Sequence, residues 1–354
     1  MKGRVLIFSG PRKLEFQERE VLQPQSNEIL IKTQMSAISA GSELLVYRGM
    51  APEGLPADST ITALRNQSLQ FPLAYGYSLV GEIIDYGPGV DPALKGERVF
   101  VFHPHQEYVI VRAEEILPIP PDISSEDAVL FPAVETAVNL TMDGHPLLGE
   151  HIIIFGQGFI GLLLTAIISR YPLISLITVD KYANRRELSA RLGASHTLNP
   201  DEKGYIQEIA DFLAATNADG AHRAEQGRGA DVIFELSGDP RVLTDALNCL
   251  GFGGRLIIGS WYGRKAAEVS LGGPFHRNRI KIISSQVSTI APELSARWSK
   301  KRRYELTWQV IRQIHPSQLI THRIPFPQAP RAYRLLDTEP DKTLQTVLTY
   351  ETDP

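Results

Sequence analysis

One stretch constrains the fold more than any other: Ile152-Ile153-Ile154-Phe155 runs into Gly156-Gln157-Gly158-Phe159-Ile160-Gly161-Leu162 and then into an apolar helix. A buried strand, GxGxxG and a helix in that order form a cradle for a pyrophosphate. Gly156 allows the tight turn, Gly158 leaves no side chain between backbone and phosphates, and Gly161 lets the helix approach the strand. The amides of Phe159, Ile160 and Gly161, at the positive end of the helix dipole, then face the anion. A second apolar run, Leu176-Ile177-Thr178-Val179, ends in Asp180. That carboxylate stands about 20 residues past the motif, where it can hold both ribose hydroxyls and meet a 2′-phosphate with like charge. NAD(H) is therefore the expected cofactor. Lys181, Arg185 and Arg186 keep NADP(H) as the minority reading, a solvated helix face being their ordinary role.

Composition narrows the remaining classes. The chain has 354 residues, 43% hydrophobic and 21% charged, and a net charge of −4. This is enough for about two domains with a large core and gives no electrostatic reason to expect nucleic acid or anionic lipid. No apolar run approaches the length of a membrane span, so a membrane partner is not expected. A single cysteine, Cys249, excludes an internal disulfide and a cysteine-rich zinc lobe. The opening Met1-Lys2-Gly3-Arg4 and its short apolar run do not read as a secretory leader, and a cytoplasmic protein is expected.

The first 120 residues read as short strands (Val5 to Phe8, Glu28 to Thr33, Val80 to Asp85, Arg98 to Phe102, Tyr108 to Val111) cut by pairs such as Pro88-Gly89 and Asp91-Pro92. From about His151 apolar strand candidates at 151–155, 174–179, 231–236, 255–260 and 280–284 alternate with helical stretches, the pattern of a doubly wound parallel sheet. The tail holds a basic helical stretch and a last β run, Leu344 to Tyr350, expected to pack back on the first domain. The 205–229 stretch, with Asp219-Gly220 and Gly227-Arg228-Gly229, reads as a surface elaboration.

This order, with Ala37-Ile38-Ser39-Ala40-Gly41-Ser42-Glu43, Gly76-Tyr77-Ser78-Leu79-Val80-Gly81, Lys95-Gly96-Glu97-Arg98-Val99, Gly229-Ala230-Asp231-Val232 and Gly253-Gly254-Arg255, resembles the medium-chain dehydrogenase/reductase superfamily. The resemblance implies an α/β fold: a β-rich GroES-like catalytic domain over 1–140, a Rossmann domain over 141–285, and a return segment over 286–354. It also implies an alcohol dehydrogenase-like enzyme, expected as a homodimer pairing through the apolar edge run Ile280 to Ser284. The zinc-dependent members carry Cys, His and a third ligand where this chain has Ala40, Tyr77 and Pro132, which cannot rebuild an N/S tetrahedral site. The stretch from Ser36 to Leu45 looks most like the zinc-free branch that includes the bacteriochlorophyllide dehydrogenases. A metal site moved to His103, His105 and Glu107 is the alternative, and two histidines two residues apart in a strand-like turn more often bind none.

Without zinc, hydrogen-bond donors must stabilise the developing oxyanion, and a conjugated substrate needs less help. The resemblance places Ser42 at the proton-relay hydroxyl, Tyr77 at a former ligand position and His103 on the pocket wall. An unperturbed imidazole titrates near neutrality and a phenol near 10. Glu43 is expected to hold structure. Thr136 is expected to approach the nicotinamide, and Ser237, Ser260 and Trp261, after the later strands, to border the cofactor, with Trp261 walling the substrate pocket. The basic runs Arg264-Lys265, His276-Arg277-Asn278-Arg279 and Arg297 to Arg303 read as solvated faces, or as a clamp for an acidic group on the small-molecule substrate. The expected function is NAD(H)-dependent hydride transfer to or from a conjugated alcohol or carbonyl. A quinone or enone reductase and a non-catalytic dinucleotide sensor are the alternatives.

Overall fold

The computed structural model describes residues 1–216 and 229–351 and divides into two compact units. The first comprises Met1–Pro132 with Ile311–Pro354, the second Ala133–Val310.

In the second unit, strands such as His151–Phe155 and Ser175–Val179 are buried at every position, as apolar runs covered on both faces must be. Among the described residues six parallel strands form its sheet, in the order His196–Leu198, Ser175–Val179, His151–Phe155, Ala230–Glu235, Leu250–Ile258, Lys281–Ser284. The strand order reverses between His151–Phe155 and Ala230–Glu235, which opens a crevice at their carboxyl ends. The three-residue strand His196–Leu198 carried too little apolar signal to be expected. The 205–229 elaboration begins as a helix, Tyr205–Thr216, and its Asp219-Gly220 and Gly227-Arg228 lie outside the described residues.

The first unit is built on a mostly antiparallel sheet in which Glu28–Ile38 is central. It pairs with Leu79–Tyr86, with Tyr108–Arg112 and with the late strand Gln345–Thr349. Ile320–Pro325 extends the sheet parallel to Gln345–Thr349. Beside it lies a hairpin, Lys2–Gly10 with Lys13–Glu20. Its second strand is exposed at most positions and polar in sequence, so hydrophobic patterning passes over it. The core gathers Leu6, Phe8, Leu44, Tyr47, Leu64, Tyr75 and Tyr333.

The unit boundaries fall at Pro132/Ala133 and Val310/Ile311, against the expected 140/141 and 285/286. Each falls inside a helix, Phe131–Gly144 or Lys300–Ile314, where no turn composition marks it. The reason that 286–310 stays with the second unit is Arg303. Fully buried, it donates to Glu135 Oε1 from Nε and Nη2 at 3.0 and 2.6 Å, to Asn139 Oδ1 at 2.5 Å, and to the carbonyls of Val287 and Thr289. The basic run is thus not wholly a solvated face, and Arg303 clamps an internal carboxylate rather than a ligand's. Burial in this contact pushes the Glu135 carboxyl above its ordinary range, against the pull of Arg303.

Candidate active site

The helix Phe159–Ile168 starts at Gly158 with no side chain capping its first amides, which leaves those donors for an anion. Gly156 has φ +91°, and a Cβ there would fall 2.5 Å from the Ser237 nitrogen. A Cβ on Gly161 would strike the Gly156 carbonyl oxygen at 2.0 Å, whereas one on Gly158 meets nothing nearer than Arg185 Nη1 at 3.9 Å. The cradle is tight where helix meets strand and open where a pyrophosphate would lie. Asp180 is buried and oriented by two amides, Gln157 N–H to Oδ2 at 2.7 Å and Tyr182 N–H to Oδ1 at 2.8 Å. A carboxylate has further lone pairs for ribose hydroxyls, so these residues fit a dinucleotide. Lys181 Nζ and the Arg185 guanidinium both lie over the Tyr182 ring, at 4.9 and 4.7 Å, and Arg185 Nη1 is 4.0 Å from Asp180. Ser237 and Ser260 stand in the loops after the strands Ala230–Glu235 and Leu250–Ile258. Trp261 is 39% exposed, so it is not a core residue. Thr136 is half-buried on the helix Phe131–Gly144.

In the first unit Ser42 opens the short helix Ser42–Tyr47, and its Oγ lies 2.6 Å from the Tyr77 hydroxyl. Ser42 Oγ also donates to Ser39 Oγ at 3.1 Å. Two of the three expected catalytic side chains are thereby brought together. Burial first, and the Glu43 carboxylate second, push the Tyr77 phenol up to about 12, so it is a neutral donor at working pH. Tyr75, which sequence reasoning passed over as one more aromatic, is raised too by burial and packs edge-on against Tyr77 at 6.3 Å.

Behind this pair lies a fully buried polar network. Glu43 accepts from Ser39 N–H at 2.9 Å, from the Tyr333 hydroxyl, and from His105 Nε2 at 3.0 Å. His105 Nδ1 is 2.8 Å from Ser36 Oγ, itself 2.9 Å from the Tyr350 hydroxyl. An ionised Glu43 makes His105 Nε2 a donor and Nδ1 an acceptor from Ser36. Gly76, at φ +116°, has no room for a side chain, because a Cβ would lie 2.6 Å from His105 Nε2. His105 thus packs against the backbone that carries Tyr77.

His103 stands apart from this network, its Nδ1 3.2 Å from the Pro104 carbonyl oxygen. Its ring is only partly covered, yet its surroundings are dry enough that burial pushes its pKa down to about 4. Burial thus works against the titration near neutrality expected for it. The moved metal site also fails on geometry: His105 turns inward to Glu43, and Glu107 binds Arg4 through its amide at 2.7 Å and its guanidinium at 2.5 and 3.0 Å. Among the described residues no three of His, Cys, Asp and Glu converge. At Ala40, Tyr77 and Pro132 the side chains offer one phenol oxygen, already paired with Ser42, so this donor set does not fit zinc.

A family model described as zinc-binding dehydrogenase matches residues 160–300. D-guloside 3-dehydrogenase of Escherichia coli K12 is 26% identical over 98% of this chain and 99% of its own length. L-threonine 3-dehydrogenase of Pyrococcus horikoshii is 26% identical over 71% of this chain and 73% of its own. An alcohol dehydrogenase structure from Escherichia coli CFT073, complexed with NADH, superposes with a TM-score of 0.77 at 20% identity, covering 98% of this chain and 99% of that one. The family model and the full-length relative support the medium-chain dehydrogenase/reductase superfamily, and the solved structure shares its fold. The relatives are named dehydrogenases, which supports oxidoreductase activity. In this chain, sequence reasoning missed Tyr333 and Glu235. Glu235 left a signal as the charge closing an apolar strand, whereas nothing in the tail marks Tyr333 as Glu43's partner.

Proposed function

We propose that the protein is an NAD(H)-linked, zinc-independent oxidoreductase that transfers hydride to or from an alcohol or carbonyl conjugated to a ring or alkene. The observation that carries this reading is the 2.6 Å hydroxyl pair that joins Ser42, at the position the resemblance gives to a proton relay, to Tyr77, at a former ligand position. The bound cofactor supplies or accepts the hydride. In the reducing direction, the substrate oxygen beside Ser42 takes the Ser42 proton as the carbonyl π electrons move onto it, Tyr77 replaces that proton through their short contact, and water returns a proton to the partly exposed Tyr77 before the next turnover. The Tyr77 phenol, though raised, still releases its proton more readily than an aliphatic alcohol does, so transfer towards an alkoxide is downhill. Conjugation, which spreads the arriving charge, suits a site with hydroxyl donors and no Lewis acid. Asp180 supports NAD(H) over NADP(H). His103 contributes a neutral ring.

The full-length similarity to a protein named D-guloside 3-dehydrogenase favours a second reading, in which the substrate hydroxyl belongs to a sugar derivative. The edge strand Lys281–Ser284, with Ile282 exposed, supports a homodimer.

The test follows nicotinamide absorbance over quinones, enones, hydroxyethyl chlorins and glycosides. Ser42→Ala and Tyr77→Phe are each expected to lower kcat on the accepted substrate by about 10²-fold while NADH affinity stays near wild type. Unchanged turnover in both variants rejects the relay, and turnover confined to glycosides selects the second reading.

A further inference from the structure

Glu235 closes the strand Ala230–Glu235 in register with Phe155, the residue before the first fingerprint glycine. Its side chain is fully buried, where a charge is costly unless donors meet it. They do. Ser237 donates to Oε1 from its amide at 2.7 Å and its hydroxyl at 2.5 Å, and the Tyr262 hydroxyl donates to Oε2 at 2.5 Å. Ser237 belongs to the loop that follows Glu235, Tyr262 to the loop that follows the next strand, Leu250–Ile258. The two loops are joined again by Gly238 N–H to Ser260 Oγ at 3.0 Å and by Lys265 Nζ to the Gly238 carbonyl at 2.5 Å. The first loop also touches the fingerprint turn, since a Cβ on Gly156 would fall 2.5 Å from Ser237 N and 2.6 Å from the Leu236 carbonyl.

Both loops stand at the carboxyl ends of strands on the far side of the switch point from Asp180. A dinucleotide crossing such a sheet lays its adenosine half against the fingerprint side and its nicotinamide half against the other. We propose that Glu235 is a positioning residue for the nicotinamide half: it touches no cofactor atom, but ties Ser237 to Tyr262 and so holds the two loops, with Ser260 bound to Gly238, as one preformed surface. This rests on the dinucleotide reading of the crevice. A carboxylate accepts from both loops at once, whereas Gln keeps one oxygen for Ser237 and turns an NH₂ towards Tyr262, whose hydroxyl must then give up donating and reorient.

The experiment titrates full-length wild type, Glu235→Gln, Glu235→Asp and Tyr262→Phe with NADH by fluorescence and with ADP, the adenosine half alone, by calorimetry. Glu235→Gln is expected to weaken NADH by about 10-fold and leave ADP within about 2-fold, with partial recovery in Glu235→Asp. Tyr262→Phe, which removes one donor and keeps the acid, reads the same split if Glu235→Gln does not fold. NADH affinity unchanged in the variants overturns the proposal, and so does equal weakening of NADH and ADP, which marks a general loosening of the unit. Failure of wild type to bind NADH or ADP instead overturns the dinucleotide reading itself.

Discussion

Tyr77 and His103 show how one chemical habit, the avoidance of buried charge, sets opposite roles for two side chains of the same unit. For the phenol the neutral form is the protonated one, so burial and the Glu43 charge behind it preserve a donor. For the imidazole the neutral form is the deprotonated one, so burial removes the proton that would have made it a neutral-range acid. The consequence for stability has a definite sign. Unfolded His103 takes up a proton near 6.5 and the folded ring only near 4, so between those values the unfolded state binds more protons. Stability present above about pH 6.5 is therefore lost as the pH falls towards about 4. The displacement corresponds to at most about 3 kcal/mol, and the ring's partial exposure brings the expected effect to about 1–2 kcal/mol. His103→Asn should thus narrow the drop in unfolding free energy between pH 7 and pH 4.5 by that amount, measured by urea denaturation at both values. An undiminished drop would mean that the ring is solvated in the native state and titrates near neutrality.

At the scale of elements, the legible parts are those whose physics is local. The strand His151–Phe155, the glycine turn and the helix Phe159–Ile168 were readable because each glycine answers a constraint within a few residues, and Asp180 because it ends the next apolar strand. The same locality hid other features. Lys13–Glu20 is a strand because its partner Lys2–Gly10 supplies the ladder, not because its own residues alternate. Arg303 looked like one cation in a surface run, and only the packing of Lys300–Ile314 against Phe131–Gly144 turns it inward to Glu135 and Asn139. The Glu43–His105–Ser36–Tyr350 chain joins residues from four places in the sequence, so no spacing announces it. The element with the most direct test is the turn after Ser175–Val179. Asp180, held by the Gln157 and Tyr182 amides, repels a 2′-phosphate, while Arg185 at 4.0 Å attracts one. The carboxylate is the group the fingerprint spacing puts at the ribose, so NADH should bind about 10-fold or more tightly than NADPH, and Asp180→Ser should narrow that ratio by strengthening NADPH. Fluorescence titration of both cofactors decides it. Equal wild-type affinities would give the site to Arg185 and Lys181.

For the whole molecule, the distribution of chemistry over two units makes cofactor and metal separable. Among the described residues no helix is long and apolar enough to cross a membrane, and the polar devices lie inside: Glu43 with His105 in the first unit, Glu235 with Tyr262 and Arg303 with Glu135 in the second. Each carboxylate is met by protein donors. If that closure replaces zinc, the native state gains nothing from a divalent metal and everything ligand-dependent comes from the dinucleotide. A ligand that binds only the folded state raises stability by about 2.7 kcal/mol at one hundred times its dissociation constant. NADH at such a concentration should therefore raise the thermal midpoint by several degrees, while prolonged chelation should change neither that midpoint nor turnover, and elemental analysis should find well under one zinc per chain. The three measurements answer different questions. A midpoint lowered by the chelator with turnover intact would place a structural metal outside the Ser42–Tyr77 pair. Stoichiometric zinc lost together with turnover would return the chemistry to a Lewis acid and reject the Ser42–Tyr77 pair as its replacement.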